Sequence, residues 1–284
     1  MRLRSLLFVP GDRPERFTKA AAAHADALIL DLEDAVAPAR KAYARDAVAE
    51  ELAKPRAQNM LVRINALDSG LASADIECLA ACPPDAIVLP KARGGVALRQ
   101  LRALFGDAGC APLPVLPLAI EDPGAVFTVA EFIGHGSELA GLTWGAEDLR
   151  AGLGAGANRL PGGDFTPPFV MVRNWLLFAA HAAGVPAIET VYADFRDTEG
   201  AARAAVAAAR DGFSGMLAVH PGQVAAINAA FTPTEAEIRQ ARAIIAAFAG
   251  APGAGVVALD GRMVDAPHLT LALRTLERAG DQAE

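Results

Sequence analysis

Short apolar runs alternate with longer, alanine-rich segments along most of the chain. Both faces of each run are apolar, as in strands of a parallel sheet covered on both sides. The intervening segments carry apolar residues at helical spacing, with charges on the opposite face. The predicted strands span residues 5–10, 27–34, 61–65, 86–91, 114–122, 139–148, 187–192 and 215–221.

Eight strand–helix repeats predict an α/β fold, a (β/α)₈ TIM barrel. An open doubly wound sheet remains the alternative, because periodicity does not reveal whether a sheet closes. After the eighth run the pattern changes to helices and a hairpin around the turn dipeptide Asp260-Gly261. We therefore predict a catalytic barrel over residues 1–233. The predicted C-terminal helical and hairpin extension, residues 234–284, packs on its own barrel or on a neighbouring subunit.

Composition narrows the functional classes. The 284 residues are 53% hydrophobic, which favours a substantial core over disorder. The net charge of -7, without a basic stripe, argues against a nucleic-acid partner. Each apolar stretch is too short or too interrupted to span a membrane. Three cysteines, Cys78, Cys82 and Cys110, do not suggest a disulfide scaffold. We expect a cytoplasmic protein.

Polar side chains gather where the predicted strands end, which is where active sites lie in this fold. Carboxylates dominate there, and several of them at one barrel mouth would repel one another without a cation between them. Oxygen ligands without a His/Cys cluster favour Mg²⁺ or Mn²⁺ over Zn²⁺. The strand-end residues are Asp31, Glu33, Asp34, Arg63, Asn65, Lys91, Glu121, Asp122, Glu147, Asp148, Glu189 and His220.

Several of these residues also have purely structural interpretations. Asp122 precedes Pro123 and a predicted helix, so it is better suited to cap that helix than to bind a metal. Lys91 can simply pair with a neighbouring carboxylate. Arg63 lies in an apolar strand, where a buried guanidinium needs an anionic partner.

Eight sequence blocks, in order over essentially the whole chain, resemble the citrate lyase β-subunit-like proteins of the HpcH/HpaI aldolase group. The blocks are RSLLFVPGDRPERFTKA, DALILDLEDAVAPARKAYAR, VRIN, DAIVLPKA, LPLAIED, LTWGAEDL, GMLAVHPGQVAAINAAFTPT and LDGRMVDAPHL. The resemblance implies a (β/α)₈ barrel, usually a homotrimer. It implies an Mg²⁺-dependent carbon–carbon lyase that cleaves or forms 3-hydroxyacyl thioesters such as citryl, malyl or citramalyl derivatives.

The same resemblance implies roles for particular residues. Glu121 and Asp148 correspond to the metal carboxylates, and Arg63 corresponds to the arginine that holds the substrate carboxylate and oxyanion. The sequence departs from the family at Asp122, where Thr or Ser is usual. This extra carboxylate can alter the surroundings of the metal.

The resemblance also implies how the thioester and a proton are handled. Phe8, Arg13 and Lys19 correspond to residues that contact coenzyme A. Asp265 corresponds to a general acid/base that reaches a neighbouring subunit's site in several relatives. Alternatively, Asp265 is the N-cap of the final helix, since it precedes a first turn that contains proline.

Other functions stay open on the sequence alone. The thioester can be on coenzyme A or on an acyl carrier protein. One alternative is an aldolase acting on free keto acids. Another is a non-catalytic subunit that binds an acyl carrier within a larger complex. Arg13 and Lys19 favour the thioester over a free keto acid, since cations can meet its phosphates.

Overall fold

The computed structural model describes residues 1–280 and divides into two compact units, Met1–Ala229 and the segment that begins at Ala230. The first unit contains eight parallel strands among its described residues. They are β1 (Ser5–Pro10), β2 (Ala27–Asp31), β3 (Asn59–Arg63), β4 (Ala86–Leu89), β5 (Val115–Ile120), β6 (Thr143–Trp144), β7 (Ile188–Glu189) and β8 (Gly215–Ala218).

The strands form one sheet that closes into a barrel. Their order is β6-β5-β4-β3-β2-β1-β8-β7, and the two end strands meet through a parallel bridge between Leu142 and Ala187. The predicted (β/α)₈ barrel is thus confirmed, and the open sheet is wrong. Two strands are much shorter than predicted, because the chain leaves the sheet directly after Trp144 and Glu189.

Helices follow most strands, as the periodicity predicts. They are α1 (Phe17–Ala21), α2 (Lys41–Leu52), α3 (Ala72–Leu79), α4 (Gly94–Asp107), α5 (Ala146–Leu153), α6 (Pro167–Ala183), α7 (Thr198–Asp211) and α8 (Pro221–Ala230). Between β5 and β6, 3₁₀ turns at Ala125–Phe127 and Val129–Glu138 replace the predicted α-helix. Gly136 allows a close approach there, since a Cβ would lie 2.2 Å from the Ala183 carbonyl oxygen.

The barrel interior is filled by alternate residues of the strands. One buried apolar cluster contains Leu6, Ile29, Leu61, Val88 and Leu118. Burial of each such side chain contributes roughly 1.5–3 kcal/mol to the free energy of unfolding. Because side chains alternate along a strand, the next inward positions after Ile29 and Leu61 are residues 31 and 63. Strand alternation therefore directs the side chains of Asp31 and Arg63 to the carboxyl end of the barrel interior.

The second unit contains α9 (Glu235–Ala249), a hairpin of β9 (Val256–Leu259) and β10 (Arg262–Asp265), and α10 (Ala266–Ala279). The predicted hairpin around Asp260-Gly261 is confirmed, and both turn residues have positive φ, as a type I′ turn requires. Helices α9 and α10 pack through a small core at Ala241, Ala272 and Leu276. None of the helices within residues 1–280 is both long enough and apolar enough to cross a membrane.

Candidate active site

A cavity of about 320 Å³ opens at the carboxyl ends of the barrel strands. It brings together four residues for which the family resemblance implies a role, namely Phe8, Arg63, Glu121 and Asp148. Its other lining residues are Pro10, Arg16, Asp31, Ala35, Leu118, Trp144, Gly145, Ala146, Glu147, Thr190, Val191, Leu217 and Val219. Most of the lining residues are therefore apolar, and the titratable ones among them are Arg16, Asp31, Arg63, Glu121, Glu147 and Asp148.

Glu121 and Asp148 also line a second cavity, of about 680 Å³, that lies toward Lys91, Arg93 and Asp122. The two carboxylates therefore border both cavities. The carboxylate of Asp122 already has hydrogen-bond partners within the chain. It accepts from the Gly124 and Ala125 amides at 2.8 and 3.2 Å and from the Arg93 guanidinium. Its predicted capping role is confirmed.

Glu121 directly follows β5 and is only 4% exposed. Burial, with added repulsion from Asp148 and Glu33, raises the pKa of Glu121 to about 8, although the Lys91 amide donates to its Oε2 at 2.5 Å. The chain leaves room for this side chain at Gly145, where a Cβ would lie 2.8 Å from the Glu121 Cγ. A buried carboxylate that resists ionisation beside other carboxylates is a position at which a cation would be strongly stabilised.

Asp148 reaches the site from the first turn of α5, rather than from a strand end as its position in the sequence run suggested. Two carboxylates suit Mg²⁺, which usually keeps several of its water ligands. Among residues 1–280, no group of three or more His, Cys, Asp or Glu side chains could enclose a metal. The donor set therefore fits a partly hydrated hard cation, and Glu121 and Asp148 are the residues that could hold it.

Arg63 has the anionic partner that its burial demands. Its Nε and Nη2 donate to the two carboxylate oxygens of Asp31 at 2.7 and 2.6 Å. The two residues are register partners on β2 and β3, so the pairing follows from the sheet itself. Although burial opposes the charged form, the hydrogen bond and charge of Asp31 raise the pKa of Arg63. Its guanidinium carbon lies 4.9 Å from the centre of the Phe8 ring.

A third carboxylate connects Arg63 to Lys91. Glu33 is buried, with Oε2 3.0 Å from Arg63 Nη1, and its Oε1 accepts from Lys91 Nζ at 2.6 Å. Burial raises the pKa of Glu33 despite these two cations. The result is a connected ionic cluster of Asp31, Arg63, Glu33 and Lys91 next to the carboxylate pair.

Trp144 forms a wall of the cavity that the strand-end search missed. Its indole Nε1 donates to Glu189 Oε1 at 2.8 Å, and Glu189 also accepts from the buried Arg173. Next to it, the Ala146 amide donates to Thr190 Oγ1 at 3.3 Å, which fixes the start of α5. A buried tryptophan needs a hydrogen-bond acceptor for its N–H. The strand-end carboxylate of Glu189 was therefore the feature of the sequence from which a buried Trp144 near the site could have been predicted.

In the first βα unit, the cation that lines the cavity is not one of the two that the resemblance suggested, and the coenzyme A contact of Arg13 and Lys19 stays a prediction. Arg16, in the turn Pro14–Arg16, lines the cavity. Arg13 and Lys19 are exposed, and in the described part of the chain neither lines that cavity. The three cations are spaced three residues apart, which puts them on one side of a regular helix, so the spacing alone does not show which one faces the site.

Asp265 lies at the N-cap of α10, in the second unit. Its Oδ1 is 2.5 Å from His268 Nδ1, and this hydrogen bond lowers the pKa of the Asp265 carboxyl. The structure thus shows the capping position that was the alternative interpretation. The general acid/base role of Asp265 stays a prediction.

Comparisons with known proteins show which family the chain belongs to. The family model for HpcH/HpaI aldolase/citrate lyase matches residues 4–221. A citrate lyase subunit beta-like protein of Mycobacterium tuberculosis is 39% identical, covering 97% of this chain and 95% of the relative. A (3S)-malyl-CoA thioesterase of Cereibacter sphaeroides is 36% identical, covering 97% and 94%.

A solved structure extends the likeness to three dimensions. The structure of protein CitE from Mycobacterium tuberculosis, in complex with magnesium, acetoacetate and coenzyme A, matches with a TM-score of 0.82 and 37% identity. It covers 98% of both chains. The chain therefore belongs to the HpcH/HpaI aldolase/citrate lyase family.

Proposed function

We propose that the protein is an Mg²⁺-dependent carbon–carbon lyase. In this proposal it cleaves a 3-hydroxyacyl-coenzyme A thioester, such as a malyl, citramalyl or citryl derivative, into an acetyl thioester and a keto acid. The observation that carries the proposal is the pair formed by the buried Glu121 and the half-buried Asp148, beside Arg63 in one cavity. The relatives support the substrate class, since one is a malyl-CoA thioesterase and another was solved with magnesium and coenzyme A.

Glu121 and Asp148 would hold the metal ion. When bound, Mg²⁺ supplies Lewis acidity that makes the substrate's 3-hydroxyl a stronger acid. In cleavage, the 3-hydroxyl gives its proton to solvent and the C2–C3 bond breaks, and one proton is later taken up at C2, so the reaction causes no net change in protons. The bonding electrons remain on C2 as a thioester enolate, which becomes the acetyl thioester when C2 gains a proton.

Arg63 would bind the carboxylate and oxygen of the keto-acid portion. It is permanently charged, and Asp31 fixes its planar fork from one side. Each of its Nη atoms carries two N–H groups, so hydrogen-bonding capacity remains for a substrate. A preorganised cation of this kind stabilises negative charge as it develops in the transition state.

Proton transfer at C2 would fall to Asp265. Hydrogen bonding to His268 keeps its pKa low, so the ionised carboxylate is the base in the synthetic direction. The same group, once protonated, returns the proton to the enolate in cleavage. We further propose that the protein is a cytoplasmic homotrimer in which Asp265 acts at a neighbouring subunit's site.

The thioester would approach past Phe8 and Arg16, which line the cavity. Arg13, which directly precedes the turn Pro14–Arg16, and Lys19, in α1, are both exposed and can attract the phosphates of coenzyme A. We favour coenzyme A over an acyl carrier protein because the similar CitE structure binds coenzyme A.

An assay of malyl-, citramalyl- and citryl-CoA with Mg²⁺, with and without EDTA, tests this function. A lyase produces equal amounts of keto acid and acetyl-CoA, and EDTA stops the reaction. Free coenzyme A with the intact hydroxy acid would reveal a thioesterase instead. If none of the three thioesters gave a keto acid, while free hydroxy keto acids were cleaved, the aldolase alternative would replace the proposal.

A further inference from the structure

Lys91 has an unusual backbone conformation. It follows β4 with φ of 51°, in the left-handed region that residues with a Cβ rarely adopt. Such positions persist only where the surroundings over-determine them, and they cluster at functional sites. The conformation of Lys91 therefore needs an explanation from its contacts.

The contacts of Lys91 reach both functional groups of the site. Its backbone N–H donates to Glu121 Oε2 at 2.5 Å, and its Nζ donates to Glu33 Oε1 at 2.6 Å. The other oxygen of Glu33 lies 3.0 Å from Arg63 Nη1. Lys91 is thus connected to Glu121 through its main chain. Through its side chain it is connected, by way of Glu33, to Arg63.

We propose that Lys91 is a positioning residue that fixes Glu121 relative to Arg63. Its left-handed backbone aims the amide at Glu121, and its ammonium holds Glu33 in the place where Glu33 supports Arg63. The expected effect of Lys91 on turnover rests on the proposed lyase function. The expected effect of Lys91 on the position of the Glu121 carboxylate does not.

Charge balance explains why an ammonium group is needed. Asp31 and Glu33 both face the single guanidinium of Arg63. Lys91 adds a second ion pair to Glu33, whereas the nearby Lys41 ammonium donates to the Leu32 and Glu33 carbonyl oxygens. Without the Lys91 ammonium, Arg63 is the one side chain in the described part of the chain that still forms an ion pair with the Glu33 carboxylate, which reduces the positive field that Arg63 presents to a substrate.

Removal of the side chain and distortion of the main chain are separable at this position. Lys91→Gly keeps the amide and tolerates positive φ, whereas Lys91→Val lacks the ammonium and has a β-branched side chain that opposes positive φ. We expect the calorimetric Kd for Mg²⁺ to stay within about threefold of wild type in Lys91→Gly and to rise at least about tenfold in Lys91→Val. Equal Mg²⁺ affinity in two folded variants would overturn the main-chain half of the proposal.

The side-chain half is tested by a double-mutant cycle with Glu33→Gln. Lys91→Gly should lower kcat about tenfold in the wild-type background and less than about threefold when Glu33 is already Gln. KM should change little in either background, because positioning of Arg63 acts mainly on the transition state. The same loss in both backgrounds would show that Lys91 does not act through Glu33.

Two controls separate a specific effect of Lys91 from a general effect of a lysine substitution or of misfolding. Lys54→Gly removes an exposed lysine that pairs only with Glu51 among the described residues, and it should change neither kcat nor Mg²⁺ affinity. Thermal unfolding of each variant shows whether it folds, and Lys91→Ala, whose Cβ also opposes positive φ, replaces Lys91→Val in the comparison with Lys91→Gly if Lys91→Val does not fold. If the wild-type protein bound Mg²⁺ but cleaved no thioester, the proposed function would fail while the main-chain test still stood.

Discussion

Two carboxylates proposed for the same reaction lie in opposite environments. Glu121, in the barrel, is only 4% exposed, and burial raises its pKa to about 8. Asp265, in the second unit, has a side chain that is 34% exposed, and the hydrogen bond to His268 lowers its pKa. One carboxylate resists ionisation, while the other is readily ionised.

The difference indicates what each group still needs in order to function. Glu121 is surrounded by Asp148 and Glu33, so a bound cation would relieve an unfavourable arrangement. Asp265 is already paired with His268, three residues further along the chain. Its ionised carboxylate is therefore stabilised without a ligand. Removing the charge of each group should therefore have different consequences for stability and for turnover.

The largest effect is expected from Glu121→Gln. Loss of one metal carboxylate should lower turnover at least about a thousandfold, since a metal ion supplies several kcal/mol of transition-state stabilisation. Steady-state kinetics with saturating Mg²⁺ measures this loss. Glu77→Gln, on exposed helix surface, is a suitable control.

Glu121→Gln also has a readout that does not depend on activity. Because the folded-state pKa of Glu121 is raised, its contribution to stability is present below its ordinary pKa and is lost as the pH rises through about 8. The metal-free wild-type protein should thus lose stability between about pH 4.5 and pH 8, with no further loss from this group at higher pH, and the variant should lose less. Identical pH profiles would show that Glu121 ionises normally.

Arg63→Lys should lower kcat by about two to three orders of magnitude. Lysine keeps a positive charge but loses the planar fork that bonds both oxygens of Asp31. Circular dichroism should show a folded barrel, so that the loss is chemical. Turnover near that of wild type would exclude Arg63 from binding the developing charge.

A pair of substitutions separates the two interpretations of Asp265. Asparagine caps a helix about as well as aspartate but cannot transfer a proton, whereas alanine does neither. Asp265→Asn should keep the unfolding temperature and lower turnover about a hundredfold, and Asp265→Ala should lower both. A fully active Asp265→Asn protein would leave Asp265 with capping alone.

The action of Asp265 in trans requires a separate experiment. Inactive Arg63→Ala and Asp265→Ala proteins are mixed after mild dissociation and allowed to reassemble. If a neighbouring subunit supplies Asp265, some mixed sites regain both groups and activity returns. Verified mixed oligomers without activity would place Asp265 outside the neighbour's site.

The smallest effect is expected at the rim of the cavity. Arg16→Glu should raise the KM for a coenzyme A thioester about three- to tenfold, with kcat little changed, because an exposed charge pair contributes little. Arg13→Glu is the matched comparison, since Arg13 is exposed and three residues away. A larger rise in KM from Arg13→Glu than from Arg16→Glu would instead assign the phosphate contact to Arg13, as the sequence suggested.

Much of the barrel was predictable from the chain. Period-two alternation in a buried parallel strand fixes which residues point inward, and it places Asp31 and Arg63 together once β2 and β3 pair in register. The carboxylate pair followed from the strand-end rule and from the family resemblance. A buried arginine in an apolar strand was itself the signal that an acidic partner lay nearby.

The remaining features depend on contacts between distant segments. The positive φ of Lys91 is set by Glu33 and Glu121, which are 58 and 30 residues away. The 3₁₀ turns of Val129–Glu138 reflect the close approach of Gly136 to Ala183. Local periodicity contains no information on such approaches, so neither the strain at Lys91 nor the 3₁₀ segment could be predicted.

A calorimetric titration with MgCl₂ at pH 7, repeated in buffers of different ionisation enthalpy, tests the central claim most directly. Since Glu121 has a pKa of about 8 in the metal-free protein, it is largely protonated at pH 7. We predict one Mg²⁺ per chain, release of close to one proton on binding, and loss of both in Glu121→Gln. Unchanged binding in Glu121→Gln would contradict the assignment of this carboxylate pair as the metal site, and binding to the wild-type protein without proton release would show that Glu121 is already ionised at pH 7.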